Sequence, residues 1–266
     1  MRWVSPSPPG SSKGRVCSRL RQWQPVNRHV ASVLTALILA LAAIGGARAA
    51  PKVEDTMAQR VLACTGCHGP EGRAASDGYY PRIAGKPAQY LFNQLVSFRD
   101  GRRDYALMTN LLAPLDDAYL REIAEHFASL DLPYPAPQPA NADVDTLSRG
   151  EQLVMRGDTA LRVPACIACH GAALMGVAPA IPALIGMPRD YLNAQLGAWR
   201  TGKRHSPGPD CMAQVAQRLA PQDISALSQW LAAQTVPVPA KPASSLPAGS
   251  TMPLECGGTG APGVSR

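Results

Sequence analysis

Aromatic side chains are scarce in this chain: they make up 5% of 266 residues, with three Phe and four Trp. A core built from so few large rings is modest, and small cores of this kind often rely on a metal or cofactor to complete them. Alternating runs of strand length are also missing, which argues against a sheet and leaves helix as the main element. A net charge is missing too, once the first 49 residues are set aside. The whole chain carries 26 Lys+Arg against 19 Asp+Glu, but that excess equals the seven basic residues of the opening segment, which has no acidic residue. The remainder is formally neutral, so no nucleic-acid partner is expected from charge. The apolar run at 31–46 is marginal for the roughly 30 Å of a bilayer's hydrocarbon layer.

That run belongs to a segment with the parts of an export signal. A basic region precedes "ASVLTALILALAAIGG", and "ARA" at 47–49 supplies a small-residue cleavage site. Cleavage is expected after Ala49 or Ala50. An uncleaved leader would instead leave an N-terminal membrane anchor or a peripheral membrane association.

The rest of the chain says the same thing twice. "CTGCHG" (64–69) returns as "CIACHG" (166–171), and "PRIAGKPAQYLFNQL" (81–95) returns as "PALIGMPRDYLNAQL" (182–196). The same offset of 101 carries Arg99, Gly101 and Arg103 onto Arg200, Gly202 and Arg204. After a three-residue insertion, Met108 and Leu115 align with Met212 and Leu219. The expected organisation is an export signal at 1–49, a first domain at 50–131, a Pro-rich linker at 132–147, a second domain at 148–235 and a flexible tail at 236–266. Prolines in "LPYPAPQPANADVD" exclude a continuous helix there, and the tail is rich in Pro, Ala, Gly and Ser. Helices are read from Tyr119, Ile123, Phe127 and Leu130 behind an Asp116 cap, and from Ile224, Leu227 and Leu231. "SRGE" at 148–151 reads as a capping box opening the second module's first helix.

Cys-x-x-Cys-His occurs once in each copy. Zinc bound by four thiolates wants its two pairs about 15 to 20 residues apart, and here 98 residues separate them. A redox dithiol of the thioredoxin kind wants a βαβ context, which is missing. The chemistry that uses all five positions is c-type haem attachment. Two thiols add to the haem vinyl groups, and the adjacent His is placed to ligate iron. Cys64 and Cys67 with His68, and Cys166 and Cys169 with His170, are the candidate sets.

On these motifs, with the "P-x-[IL]-x-G" loop and a Met ahead of a C-terminal helix in each copy, residues 51 to 234 resemble the dihaem class I cytochromes of the cytochrome c4 type. The resemblance implies an all-α fold of two tandem class I cytochrome c domains, each wrapped around one covalently attached haem. It places the distal iron ligand at Met108 and Met212, which also share register, and implies that the carbonyls of Pro81 and Pro182 fix the two ligand imidazoles. Met57 and Met155 fall out of register, Met175 has no counterpart, and Met187 aligns with Lys86. His126 and His205 are rivals expected on a helix and in a solvent-facing loop. Cys211, beside Met212, either pairs with Cys256 or competes as a thiolate ligand.

The implied activity is electron transfer, not catalysis: a periplasmic carrier that takes electrons from a quinol-oxidising complex or dehydrogenase and delivers them to a terminal oxidase. Alternatives are an electron-accepting subunit of a dehydrogenase complex, or a dihaem peroxidase or gas-binding protein with one open haem. The basic stretches "FRDGRRDY" and "WRTGKRH" are read as solvated turns, with a partner-docking patch as the other reading.

Overall fold

A computed structural model describes residues 27–44, 54–74 and 78–259, with side chains of the first helix to residue 38. The cleavage motif at 47–49, most of the basic leader and the last seven residues lie outside these. Residues through Lys52 form a unit of their own, of which helix α1, Arg28–Ile44, is described. No described helix is long and apolar enough to cross a membrane.

From Val53 onward the chain is helical in both copies. The first copy holds α2 (Met57–Arg60), α3 (Leu62–His68), α4 (Ala88–Arg99), α5 (Ala106–Leu112) and α6 (Asp117–Ser129). The second holds α7 (Val144–Met155), α8 (Ile167–His170), α9 (Arg189–Arg200), α10 (Cys211–Arg218) and α11 (Pro221–Ala232). A hairpin of two-residue strands, Gly176–Val177 and Ile181–Pro182, occurs in the second. Elements that short show no alternation, so the sequence gives no strand signal there.

Each copy has its own core. In the first, Leu120, Ile123, Ala124 and Phe127 of α6 are buried at helical spacing against Val61, Leu91 and Leu112. In the second, Ile224, Leu227 and Leu231 of α11 do the same against Leu153, Val154 and Leu192. Asp116 caps α6 as expected, accepting the Tyr119 backbone N–H at 2.8 Å. The "SRGE" cap is a correction. Helix α7 begins a turn earlier, at Val144, where Asp143 accepts the Thr146 N–H at 2.7 Å, and Ser148 lies inside the helix. Gly150, inside the helix, lets α7 approach α11 closely. A β-carbon at 150 would run into the Ala226 carbonyl of α11, so the two helices cross backbone to backbone. Gly150→Ala should cost about 1–3 kcal/mol through overpacking, read as a lowered unfolding midpoint of the holoprotein.

The Pro-rich segment is irregular and well held. Arg82 donates to the carbonyls of Leu132 and Pro133 and lies over the Tyr134 ring, while the Gln138 N–H donates to Ala232 O at 2.9 Å. The tail, to Thr259, has little regular structure but is fastened as well. Ala243 exchanges backbone hydrogen bonds with Ala178 and Gly176. A disulfide joins Cys211 to Cys256, and Gly258 O accepts the Asn93 amide.

Candidate haem-binding sites

Helix α3 sets Cys64 and Cys67 one turn apart and ends on His68; Cys166 and α8 repeat the arrangement with Cys169 and His170. The next residue must leave the helix sharply. Gly69 and Gly171 do so at φ +75° and +81°, a region that side chains other than glycine's disfavour. Both histidines are buried, at 8% and 7% exposure. Each Nδ1–H donates to a proline carbonyl 2.8 Å away, His68 to Pro81 and His170 to Pro182. That fixes ring and tautomer and leaves Nε2 as the basic nitrogen. Burial depresses both imidazoles below the ordinary histidine value, against the opposing pull of the proline carbonyl, so the rings are neutral and able to bind a metal.

Each histidine opens on a cavity. The first copy's, about 610 Å³, is lined by Cys64, Cys67, His68, Pro81 and Met108. The second's, about 170 Å³, is lined by Cys166, Cys169, His170, Pro182 and Met212, and tail residues Met252, Leu254 and Cys256 stand in its wall. The register-matched methionines therefore share a cavity with their histidines. Met187 also lines the second cavity, whereas Met57 and Met175 pack into the cores and Met155 lies on the surface. His126 sits against Phe127 and His205 is exposed; neither lines a cavity. The thiol of Cys211 is consumed by its disulfide.

Three of the four remaining thiols do not suit redox dithiol chemistry. Burial pushes Cys64 and Cys169 up and Cys166 to about 12, the reverse of a reactive thiolate. Among the described residues no group of three His, Cys, Asp or Glu is placed to hold a bare metal ion.

The two basic stretches need correction. Arg103 and Arg204 are 8% and 4% exposed, not solvated. Their backbones form an antiparallel bridge between the two copies, with the Asp104 N–H on Lys203 O and the His205 N–H on Arg102 O. Arg103 donates to Gln94 at 3.0 Å and Gln195 at 2.6 Å; Arg204 donates to Gln195 at 2.7 Å and Gln94 at 2.9 Å. Each guanidinium also stacks on an equivalent ring, Phe98 and Trp199. The cluster is two-fold symmetric, and its signal was in the sequence: Gln94 and Gln195, like Arg103 and Arg204, recur at the offset of 101.

Among the described residues no carboxylate pairs with either arginine, although both line the first cavity and Arg204 the second as well. Two buried cations without an anion are costly. Burial first, then Arg103, pushes the Arg204 guanidinium down to about 10. These linings fit a haem in charge: their apolar walls would hold its ring, and Arg103 and Arg204 would face its propionates.

Comparisons with known proteins agree with this reading. The Cytochrome c family model matches residues 148–235. The chain is 37% identical over 227 residues, 85% of its length and 99% of the other's, to a thiosulfate dehydrogenase electron acceptor of Thiomonas intermedia. It is 33% identical to a cytochrome c4 of Pseudomonas aeruginosa, over 75% of this chain and 96% of that one. The crystal structure of reduced cytochrome c4 from Pseudomonas stutzeri superimposes with a TM-score of 0.57 at 30% identity, covering 67% of this chain and 96% of that one.

Proposed function

Because the chain belongs to the cytochrome c4 family of dihaem class I c-type cytochromes, we propose that it works in the periplasm, carrying electrons from a dehydrogenase toward a terminal oxidase. It is an electron carrier with two covalently bound haems c and not an enzyme. When bound, each haem supplies a one-electron couple between ferric and ferrous iron. In the proposed assignment Cys64 and Cys67 anchor the first haem by thioether bonds, and Cys166 and Cys169 the second. His68 and Met108 would hold the first module's iron, and His170 and Met212 the second's. The carbonyls of Pro81 and Pro182 hold the imidazoles in the orientation that presents Nε2.

The observation that carries this reading is the lining of the two cavities. Each brings one attachment motif and one register-matched methionine to the same pocket. Two protein donors to each iron would leave no open site, which disfavours a peroxidase or gas-binding role. A dehydrogenase is preferred as donor over a quinol-oxidising complex because of the Thiomonas relative, whose alignment spans nearly its whole length. We infer a dehydrogenase acting on thiosulfate. The test is stopped-flow mixing of the ferric holoprotein with a purified thiosulfate dehydrogenase and its substrate. Reduction of both haems within the enzyme's turnover time is expected; reduction only by a quinol-oxidising complex would reverse the choice of donor.

A further inference from the structure

The two modules build the same pocket and differ in what stands over the helix that carries the register-matched methionine. On α5 of the first module Ala106, Leu107, Asn110 and Leu111 are all exposed, Leu107 at 63% and Leu111 at 39%. Their counterparts at the offset of 104, Asp210 and, on α10, Cys211, Gln214 and Val215, are all half-buried. Leu107 and Leu111 line the first cavity together with Tyr79, which is 61% exposed and packs on Tyr80 with ring centres 5.0 Å apart. Ala180, the counterpart of Tyr79 at the offset of 101, is buried. Beside Met108 the first module therefore shows a rim of aromatic and aliphatic side chains, the composition that interface centres favour. Exposed charges in the same lining are of both signs, Asp104 and Asp190 with Lys203.

In the second module the chain's own tail stands at that place. Cys256 is joined to Cys211, the counterpart of Leu107, and the Gly257 N–H donates to Pro209 O at 2.9 Å. Glycine at 257 lets the two backbones meet, since a β-carbon there would run into the Gly208 carbonyl. Upstream, Ala243 is bonded to Gly176 and Ala178, so the stretch between is held at both ends. From Thr251 to Glu255 exposure alternates: Met252 and Leu254 are half-buried, while Thr251, Pro253 and Glu255 are exposed. That is the period of an extended chain laid on a surface. Met252 and Leu254 line the second cavity. No charged residue occurs from 242 to 254, so the segment that covers this face is apolar and uncharged.

We propose that electron-donating proteins dock on the exposed face of α5, with Tyr79, Leu107 and Leu111 at the contact, and that the strapped tail denies them the matching face of the second module. This rests on the electron-carrier reading above and adds its docking surface. The repeat gives both faces one framework, and the tail shows what seats on it: a narrow apolar segment without charge. A donor that presents such a segment finds its place taken on the second module and open on the first. On docking, the donor loses one electron and ferric iron held by the first module gains it; no bond or proton moves. Electrons then reach the second module from within the protein.

Stopped-flow reduction of the ferric holoprotein by thiosulfate dehydrogenase with thiosulfate tests the surface, with ascorbate as a small reductant that needs no docking. Leu107→Ser and Ala106→Glu are each expected to slow the reaction with the dehydrogenase about tenfold. Ala106 lines neither cavity, so Ala106→Glu should keep both potentials and the ascorbate rate, which separates docking from haem packing should Leu107→Ser disturb the fold. Thr251→Glu, on the outer side of the tail, should leave both reactions as they are. Added salt should change the dehydrogenase rate little, because the contact is uncharged. Ala106→Glu reacting as fast as the unaltered protein would overturn the proposal, as would equal slowing by Thr251→Glu or a rate that falls steeply with salt. So would a holoprotein that sediments as a dimer through this face and is made monomeric by Ala106→Glu, since the occupant would then be a second copy. A dehydrogenase that does not reduce the unaltered protein strikes the choice of donor alone; the same comparison with a quinol-oxidising complex and quinol then carries the same expected order and the same contradicting results.

Discussion

Met212→Ala should lower the second haem's potential by a substantial part of the roughly 0.8 V that axial ligation and surroundings command, and should open its iron to carbon monoxide in the reduced state. Met212 is half-buried in the wall of the cavity that holds His170, at the first turn of α10. Thioether ligation favours ferrous iron and raises the potential, so its removal acts in the downward direction. Met108→Ala should do the same to the first haem alone, since Met108 lines the other cavity. Met175→Ala is the control. That side chain is 3% exposed in the second core and lines neither cavity. Its loss should cost about 2–5 kcal/mol in stability with both potentials kept. Optical titration under carbon monoxide reads all three variants, and an unshifted second potential in Met212→Ala would rule that residue out as ligand.

Cys256→Ser should destabilise the second module by about 4 kcal/mol on the chain-entropy account, which scales with the size of the closed loop. The two cysteines are 45 residues apart, with their Cα atoms 5.1 Å from one another. The loop they close contains α11, whose Ile224, Leu227 and Leu231 anchor the second core, so its ordering is coupled to that core. The tail contributes packing as well. Met252 and Leu254 line the second cavity, and the Gly257 N–H donates to Pro209 O at 2.9 Å. Denaturant unfolding followed at each haem should show the second module losing stability and the first nearly unchanged. An unaltered transition would show that the tail adds nothing to that module.

What could be read from the sequence was whatever lies close together along it. Cys-x-x-Cys-His is a five-residue motif, and the Asp116 cap and the buried stripe of α6 follow one helical period. The pairing of Met108 with Met212 needed only the repeat. The start of α7 was misplaced because Asp143 and Ser148 both satisfy a cap's local chemistry. Asp143 takes the role, accepting the Thr146 N–H, while the close approach of Gly150 to Ala226, 76 residues on, is a contact no local pattern reports. The arginines were read as solvated for the same reason. Arg204 is buried by Gln94, 110 residues away, and no local pattern reports a contact of that length. The tail's composition pointed to a flexible segment, but a disulfide and three backbone hydrogen bonds fasten it without any periodicity.

The near-infrared spectrum of the ferric holoprotein, alongside a count of haem per chain, tests the central assignment most directly. Two haems are predicted, each with the charge-transfer band of methionine-ligated low-spin iron, and Met108→Ala and Met212→Ala should each remove half of its intensity. A single haem, or a high-spin signal from either iron in the unaltered protein, would contradict the paired histidine–methionine sites from which the electron-carrier function is argued.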